Sequence, residues 1–449
     1  MSFITDKQTL DDLNILGKYK PGSMFNLFNT GQTAGGERLL EDMFRFPLSD
    51  ADLINRRSRI FQFFRSHALT FPFDQDQLTQ MESYLQDSGE HTLLETGLRV
   101  IRKLVSAWLL KDEPYAVMQA GLLATTAVLQ TCQVLLDKLN IQDRQHPYFD
   151  QVAAVGDILN DSRLAWIKTE KEAIPLSFLH VIRYDHLLRK ILKNELNIIL
   201  SFIYHFDVCL AVNQVAIANE LSFGVALPAS RNRMEAANLR HPTIKKAVGN
   251  VLSLSENTNL IFLTGANMAG KSTLMKAFGI TMYLAHMGFP VAAESLEFSV
   301  KDGIYTSINV PDNLNMGYSH FYAEVLRVKK IAEKVSQGEN MIIIFDELFK
   351  GTNVKDAYEA TLAVTEAFAS YRCCFFMIST HIIEVAEALK TICHNIRFAY
   401  LPTVMSGNVP TYTYRLEQGV TSDRQGMMII ENEKILEILY SDQGLHPNT

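Results

Sequence analysis

The sequence predicts two architectures in series: an α-helical core or lever domain over residues 1–227, then an α/β domain with a mostly parallel sheet over residues 228–449. Three observations carry this reading. Across the first half, apolar residues recur at helical spacing and form one-sided stripes. After Gly224, short apolar runs alternate with helical stretches through Phe398, the pattern of parallel strands joined by crossover helices. Finally, the apolar run Leu260–Leu263 leads into glycine, four residues, glycine, lysine and a hydroxyl (Gly265 to Ser272), followed by a helical pattern to His286.

Thr33-Ala-Gly-Gly leads into a helix over Glu37–Phe46, with Leu39, Leu40, Met43 and Phe44 on one face and Pro47 as its stop. Ser49 and Asp50 can cap the next helix, where Leu53, Ile54, Phe61 and Phe64 recur at helical spacing. Tyr115–Leu139 has the same character. Leu176–Leu227 contains no proline and carries the stripe Leu188, Leu192, Ile199, Phe202, Phe206 and Cys209. A continuous helix of about 45 residues there would span roughly 70 Å, the geometry of a lever; the alternative is two helices meeting near His205. Leu227–Asn232 reads as the linker between the domains.

At 449 residues the chain is long enough for about three domains of ordinary size. A formal charge of -7 lacks the basic footprint usual in nucleic-acid binders. Cys132, Cys209, Cys373, Cys374 and Cys393 lack metal-ligand spacing and mostly sit in apolar runs, as expected of reduced core cysteines. Met1–Asp12 is polar without a signal-peptide core, and no uncharged apolar run is long enough to cross a membrane. These features predict a cytoplasmic protein without membrane partners.

The phosphate chemistry explains the glycine loop. Gly265 and Gly270 let the backbone curl so that successive N–H groups face an anion. Lys271 adds a charge for the β and γ phosphates of ATP, the Ser272 hydroxyl can ligate Mg²⁺, and the helix N-terminus faces the same anion. The expected nucleotide cradle is Gly265, Ala266, Asn267, Met268, Ala269, Gly270, Lys271, Ser272 and Thr273. Met341–Phe345 is an apolar strand ending in two acids. In a phosphate-loop NTPase, Asp346 holds Mg²⁺ through its water shell and Glu347 orients and deprotonates the attacking water. His381, just past a later strand, is placed to hydrogen-bond the γ phosphate or that water. Asp312–Glu324 reads as a loop entering a helix whose stripe is Phe321, Val325, Val328, Ala332 and Val335, with Ser319 as a possible cap. The fold expected of the second domain is therefore a P-loop NTPase, and the family resemblance that follows implies its ABC-like kind.

These residues resemble the MutS family of DNA mismatch-repair ATPases. Gly265–Thr273 is nearly that family's phosphate loop, with Ala266 where proline is usual. Asp346-Glu-Leu-Phe-Lys-Gly-Thr-Asn353 is similar to its acidic strand end and following turn, and Ser379-Thr-His381 to its switch histidine. Arg240-His-Pro242 resembles the entry to its ATPase domain, and Gly419–Gly426 its late glycine-serine-glycine segment. Gly22-Ser-Met-Phe and Gly35–Leu40 resemble the start of its helical core, so the resemblance runs from about Gly22 to Ile430. It implies that Ser319 reaches the γ phosphate of a neighbouring subunit, and hence a homodimer with composite ATP sites; here the signature reads Ser319-His320-Phe321. It also implies action on DNA. The chain starts directly at the core, so the expectation is that the mismatch-reading domain, its connector and a β-rich clamp are missing, and that only Glu431–Tyr440 stands where a dimerisation tail is usual. The resulting reading is an ATP-hydrolysing, nucleotide-switched dimer acting on DNA without mismatch specificity of its own. Its rival is a nucleotide-gated protein scaffold that binds no DNA. A transporter-type ATPase is disfavoured, because no glycine-glycine-glutamine signature follows the loop.

Overall fold

A computed structural model describes residues 3–17, 20–67, 69–86, 114–168, 178–266, 268–308, 320–406 and 409–421, with 434–435 and 438–439. They pack into two compact units, one of Met1–Phe28, Met43–Ser58 and Val215–Thr449, the other of Asn29–Asp42 and Arg59–Gln214. This grouping differs from a single division at residue 227. Two early segments pack with the carboxy-terminal part for reasons that periodicity does not carry. The rings of Phe28 and Phe44 stand edge-on to Phe289, at 5.3 and 5.6 Å, and the Tyr283 hydroxyl donates to Phe44 O at 2.6 Å.

All the strands described fall in the first unit. In chain order they are β1 (Ser222–Phe223), β2 (Val225–Leu227), β3 (Arg233–Leu239), β4 (Asn250–Ser255), β5 (Leu260–Thr264), β6 (Pro290–Val291), β7 (Ser295–Ser299) and β8 (Gly303–Ser307). There follow β9 (Met341–Phe345), β10 (Phe375–Ser379), β11 (Ile396–Tyr400), β12 (Thr403–Ser406), β13 (Val409–Tyr412) and β14 (Glu417–Gln418). The six-stranded sheet runs β14-β11-β5-β10-β9-β8 and is parallel except for β14. A smaller mixed sheet runs β2-β7-β3-β4. β5, β9 and β10 are buried along their whole length, as helices on both faces require of a parallel sheet. Leu260, Phe262, Ile343, Phe345, Phe376 and Ile378 form one cluster, and each such side chain contributes about 1.5–3 kcal/mol on leaving water. The helix His320–Ser336 lays Val328, Ile331 and Val335 against it, with Phe321, Val325 and Ala332 beside them. The amino-terminal residues also belong here. Ile4 bridges Gly303 of β8 in parallel, and the Asp12 carboxylate accepts from the Thr306 hydroxyl at 2.7 Å.

Among its described residues the second unit holds helices and no strand. They include Gln75–Gln86, Pro114–Leu139, Phe149–Leu159, Phe178–His186 and most of Lys193–Ala218. Asp207 accepts from the Gln32 and Thr33 amides and the Thr33 hydroxyl, which seats the start of the helix Ala34–Arg45. The long rod is corrected. The helix breaks at a π-turn, Leu187–Ile191, and Leu192 (φ -106°, ψ 18°) leaves helical geometry, while His205 lies within the continuous helix Lys193–Ala218. The widened turn keeps Leu188 and Leu192 both buried and brings Arg189 to Asp185 at 3.4 Å, a buried ion pair that the Tyr84 hydroxyl joins at 2.9 Å. Two helices, Tyr115–Leu139 and Lys193–Ala218, are long and apolar enough to cross a membrane, contrary to the expectation from the sequence. Their most apolar stretches are 56% and 72% buried, which their place in the helical core explains.

Candidate functional site

The site assembles at the carboxyl ends of β5, β9 and β10, where parallel strands deliver their following loops side by side. After Thr264 the chain turns through Gly265 (φ +140°), Met268 (φ +70°) and Gly270 (φ +101°) before the helix Lys271–His286 begins. Both glycines occupy backbone that other residues rarely adopt. A Cβ on Gly270 would stand 3.0 Å from the Tyr414 ring, so that ring would have to give way to a side chain there. Lys271 is 5% exposed, and its Nζ donates to Gly265 O at 2.8 Å and Ala266 O at 3.1 Å. Burial lowers its pKa, opposed by the charges of Asp346 and Glu347. Ser272 and Thr273 present their side chains at the surface, whereas Ala269 is buried. Asn267 lies outside the described residues.

The register of β9 and β10 places Ile378 beside Phe345, so Ser379 falls next to the two acids. Its hydroxyl donates to Asp346 Oδ1 at 2.5 Å and accepts the Glu347 N–H at 3.0 Å. Glu347, just past the end of β9, sits in left-handed backbone (φ +54°). His381 Nε2 lies 2.5 Å from Glu347 Oε1, and Lys350 Nζ lies 3.5 Å from Oε2. The hydrogen bond from His381 lowers the Glu347 pKa to about 2 against its partial burial, helped by the positive charge around it. His381 is thus placed on the proposed base itself. Ser319 lies outside the described residues, although the helix that follows it meets this turn. A Cβ on Gly351 would stand 2.9 Å from the Phe321 nitrogen.

A cavity of about 600 Å³ opens on the loop, lined by Ala266, Met268, Gly270, Lys271, Ser272, Thr273 and Glu347. Asp346, His381, Gly265 and Ala269 are not among its lining residues. Its lining also includes Arg240, His241, Ile244, Lys245, Lys246, Asn250 and Tyr414. Of these the sequence had singled out only Arg240 and His241, and only by resemblance. Tyr414 (φ +56°) is seated by Asn250, whose Nδ2 donates to Tyr414 O at 3.0 Å and whose Oδ1 accepts the Leu416 N–H at 2.7 Å. No periodicity marks such a loop residue in advance.

Asp346 suits the water shell of a divalent cation. It is 8% exposed, and its Oδ2 accepts no hydrogen bond among the described residues. Together these groups could hold a polyphosphate on backbone amides and a lysine and present a carboxylate to a water, and Ser272 and Asp346 would hold a divalent cation that offsets the phosphate charge.

Residues 261–440 match the family model for MutS domain V. The DNA mismatch repair protein MutS of Petrotoga mobilis is 30% identical over 196 residues, which are 43% of this chain and 24% of that protein. The proteins of the same name from Streptococcus sanguinis and Streptococcus uberis are each 28% identical, over 218 and 209 residues. Those matches cover 46% and 45% of this chain, but 25% and 24% of the relatives. The matched part therefore spans about a quarter of the length of these proteins.

Proposed function

We propose that this chain, which belongs to the MutS family through the domain at residues 261–440, binds Mg²⁺ and ATP in the cavity beside Lys271 and hydrolyses the nucleotide. The observation that carries this reading is the meeting of three loops on one sheet: the glycine loop with Lys271, the acidic pair Asp346 and Glu347, and Ser379 with His381. Lys271 and the loop amides of Gly265–Thr273 receive the β and γ phosphates. Ser272 and Asp346 hold Mg²⁺, which would draw charge from the phosphate oxygens. Glu347 orients the water and takes its proton, and His381 positions that carboxylate. Ser319, as the family resemblance implies, completes the site of a neighbouring copy, so that ATP and ADP favour different states of a homodimer.

DNA, duplex or branched, is the proposed target, bound without mismatch specificity of this chain's own, in a cytoplasmic setting. A second reading has an observation in its favour: a formal charge of -7 lacks a basic footprint and Arg189 is buried in an ion pair, as suits a nucleotide-gated scaffold for proteins. Salt-dependent retention on immobilised DNA separates the two, because phosphate contacts weaken steeply with salt.

The chemistry is tested by Glu347→Gln and Lys271→Ala. The first should bind ATP while phosphate release falls by about a hundredfold or more, since an amide takes no proton. It should also sediment as a tighter dimer with ATP than with ADP, by linkage. The second should lose binding as well as turnover. Wild-type phosphate release from Glu347→Gln would remove Glu347 from the reaction.

A further inference from the structure

The helix Lys193–Ala218 closes on a left-handed residue, Glu220 (φ +52°), with the Leu221 N–H donating to Ala216 O at 2.8 Å. That turn leaves the carbonyls of Asn219 and Glu220 outside the helix. Both accept from one guanidinium: Arg240 Nη2 lies 3.1 Å from Asn219 O and 2.9 Å from Glu220 O. A cation suits the place, because a helix carries its negative pole at the carboxyl end.

Arg240 also belongs to the wall of the cavity that holds Lys271 and Glu347. Its Nε and Nη1 donate to nothing among the described residues, although a guanidinium offers donors from all three nitrogens. Its backbone is anchored, the N–H donating to Ala292 O at 2.9 Å. Ala292 follows β6, which pairs with β1 directly after the Glu220 turn, Ser222 opposite Val291. β6 in turn follows the helix that starts at Lys271. Phosphate loop and carbonyl turn are thus joined twice, through Lys271–His286 with the β6–β1 pair, and through Arg240.

We propose that Arg240 is a positioning residue shared between the cavity's nucleotide and the end of the helix Lys193–Ala218. Its Nε and Nη1 take acceptor atoms of the nucleotide while Nη2 holds Asn219 O and Glu220 O, so occupancy of the cavity is felt as a tightening of the turn at 219–221. This rests on the ATP reading above. A bound acceptor fixes the guanidinium plane, and a fixed plane holds the two carbonyls in one geometry.

The test combines binding of a fluorescent ATP analogue with amide hydrogen exchange at Glu220 and Leu221, with and without saturating ATP and Mg²⁺. In the wild type, ATP should slow exchange at these amides by about fivefold or more. Arg240→Met should bind the analogue more weakly and, at concentrations that saturate it, show slowing below about twofold, and Arg240→Lys should restore part of the slowing. Two results overturn the proposal: a wild type that binds the analogue with unchanged exchange at 220–221, or full slowing in Arg240→Met. Should Arg240→Met fail to fold, the wild-type comparison and Arg240→Lys still decide. A wild type that does not bind the analogue defeats the ATP reading first, and this inference with it.

Discussion

Glu347 is the residue on which the site's electrostatics converge. Its carboxylate is held ionised by His381 at 2.5 Å, with Lys350 at 3.5 Å, and its pKa falls to about 2. A group whose folded pKa lies below its ordinary value stabilises the fold above that ordinary value. The contribution is lost as pH falls through the folded pKa, here between about 4.5 and about 2. His381→Ala removes the first cause of the depression. The Glu347 carboxyl should then titrate closer to the ordinary carboxylate range, as followed by carbon NMR of labelled glutamate, and the stability lost between about pH 4.5 and about 2 should become smaller. An unmoved titration would mean that His381 does not hold the carboxylate in solution. The identities of Lys271, Asp346 and Glu347 as candidates were readable from spacing alone, because a loop between strand and helix admits few other uses for that pattern. The Glu347–His381 pairing was not, since it depends on a left-handed φ at Glu347 and on the register of β9 with β10.

At the scale of elements, apolar runs and caps were legible where one physical signal dominates. Asp50 accepts the Leu53 N–H at 2.9 Å and starts the helix Ala51–Ser66, as its side chain predicts. The helix Lys271–His286 begins one residue before the expected Ser272. The rod from Leu176 misled because a π-turn costs no proline and no glycine, and so leaves the apolar stripe unbroken on paper. Its far end carries a testable strain. Glu220, at φ +52°, holds the position after a helix where glycine is favoured, and its side chain is exposed. Glu220→Gly should therefore raise stability by about 0.5–1 kcal/mol, read as a shift in denaturant midpoint at constant slope. A lower midpoint would mean that the Glu220 side chain contributes more than its backbone costs.

For the whole molecule, residues 1–28 and 43–58 pack with the part that carries the sheets, which the sequence pattern did not announce. Hydrophobic spacing reports which face is buried and is silent about what covers it. The proposed lack of mismatch discrimination belongs at this scale. Reading a mismatch takes a side chain wedged into the duplex from a domain that grips bent DNA. The described part of the second unit is helical; of the candidate phosphate contacts Arg183, Arg189, Lys190 and Lys193 along it, Arg183 and Lys190 are exposed, Lys193 is half-buried, and Arg189 is buried. In competition binding, a G·T duplex and its matched counterpart should be retained equally. A tenfold preference, about 1.4 kcal/mol, would reveal a reader among the helices.

One small contact has a consequence for solubility. β8 ends the strand order of the six-stranded sheet, and a free row of backbone groups at such a margin invites another chain to add a strand and nucleate aggregation. Ile4 occupies part of that row, donating its N–H to Asp302 O at 2.7 Å and accepting the Ile304 N–H at 2.9 Å. Gly303 permits the approach, since a Cβ there would lie 2.2 Å from Ile4 O. The first turn of chain thus acts as a guard on an adhesive margin, in a protein whose parallel sheet needs distant strands to find one another before the margin is closed. Ile4→Pro deletes the donor, and the variant should scatter more light on warming at equal concentration, in proportion to protein concentration, with ATP affinity unchanged. Equal scattering from the two proteins would show that other residues protect β8.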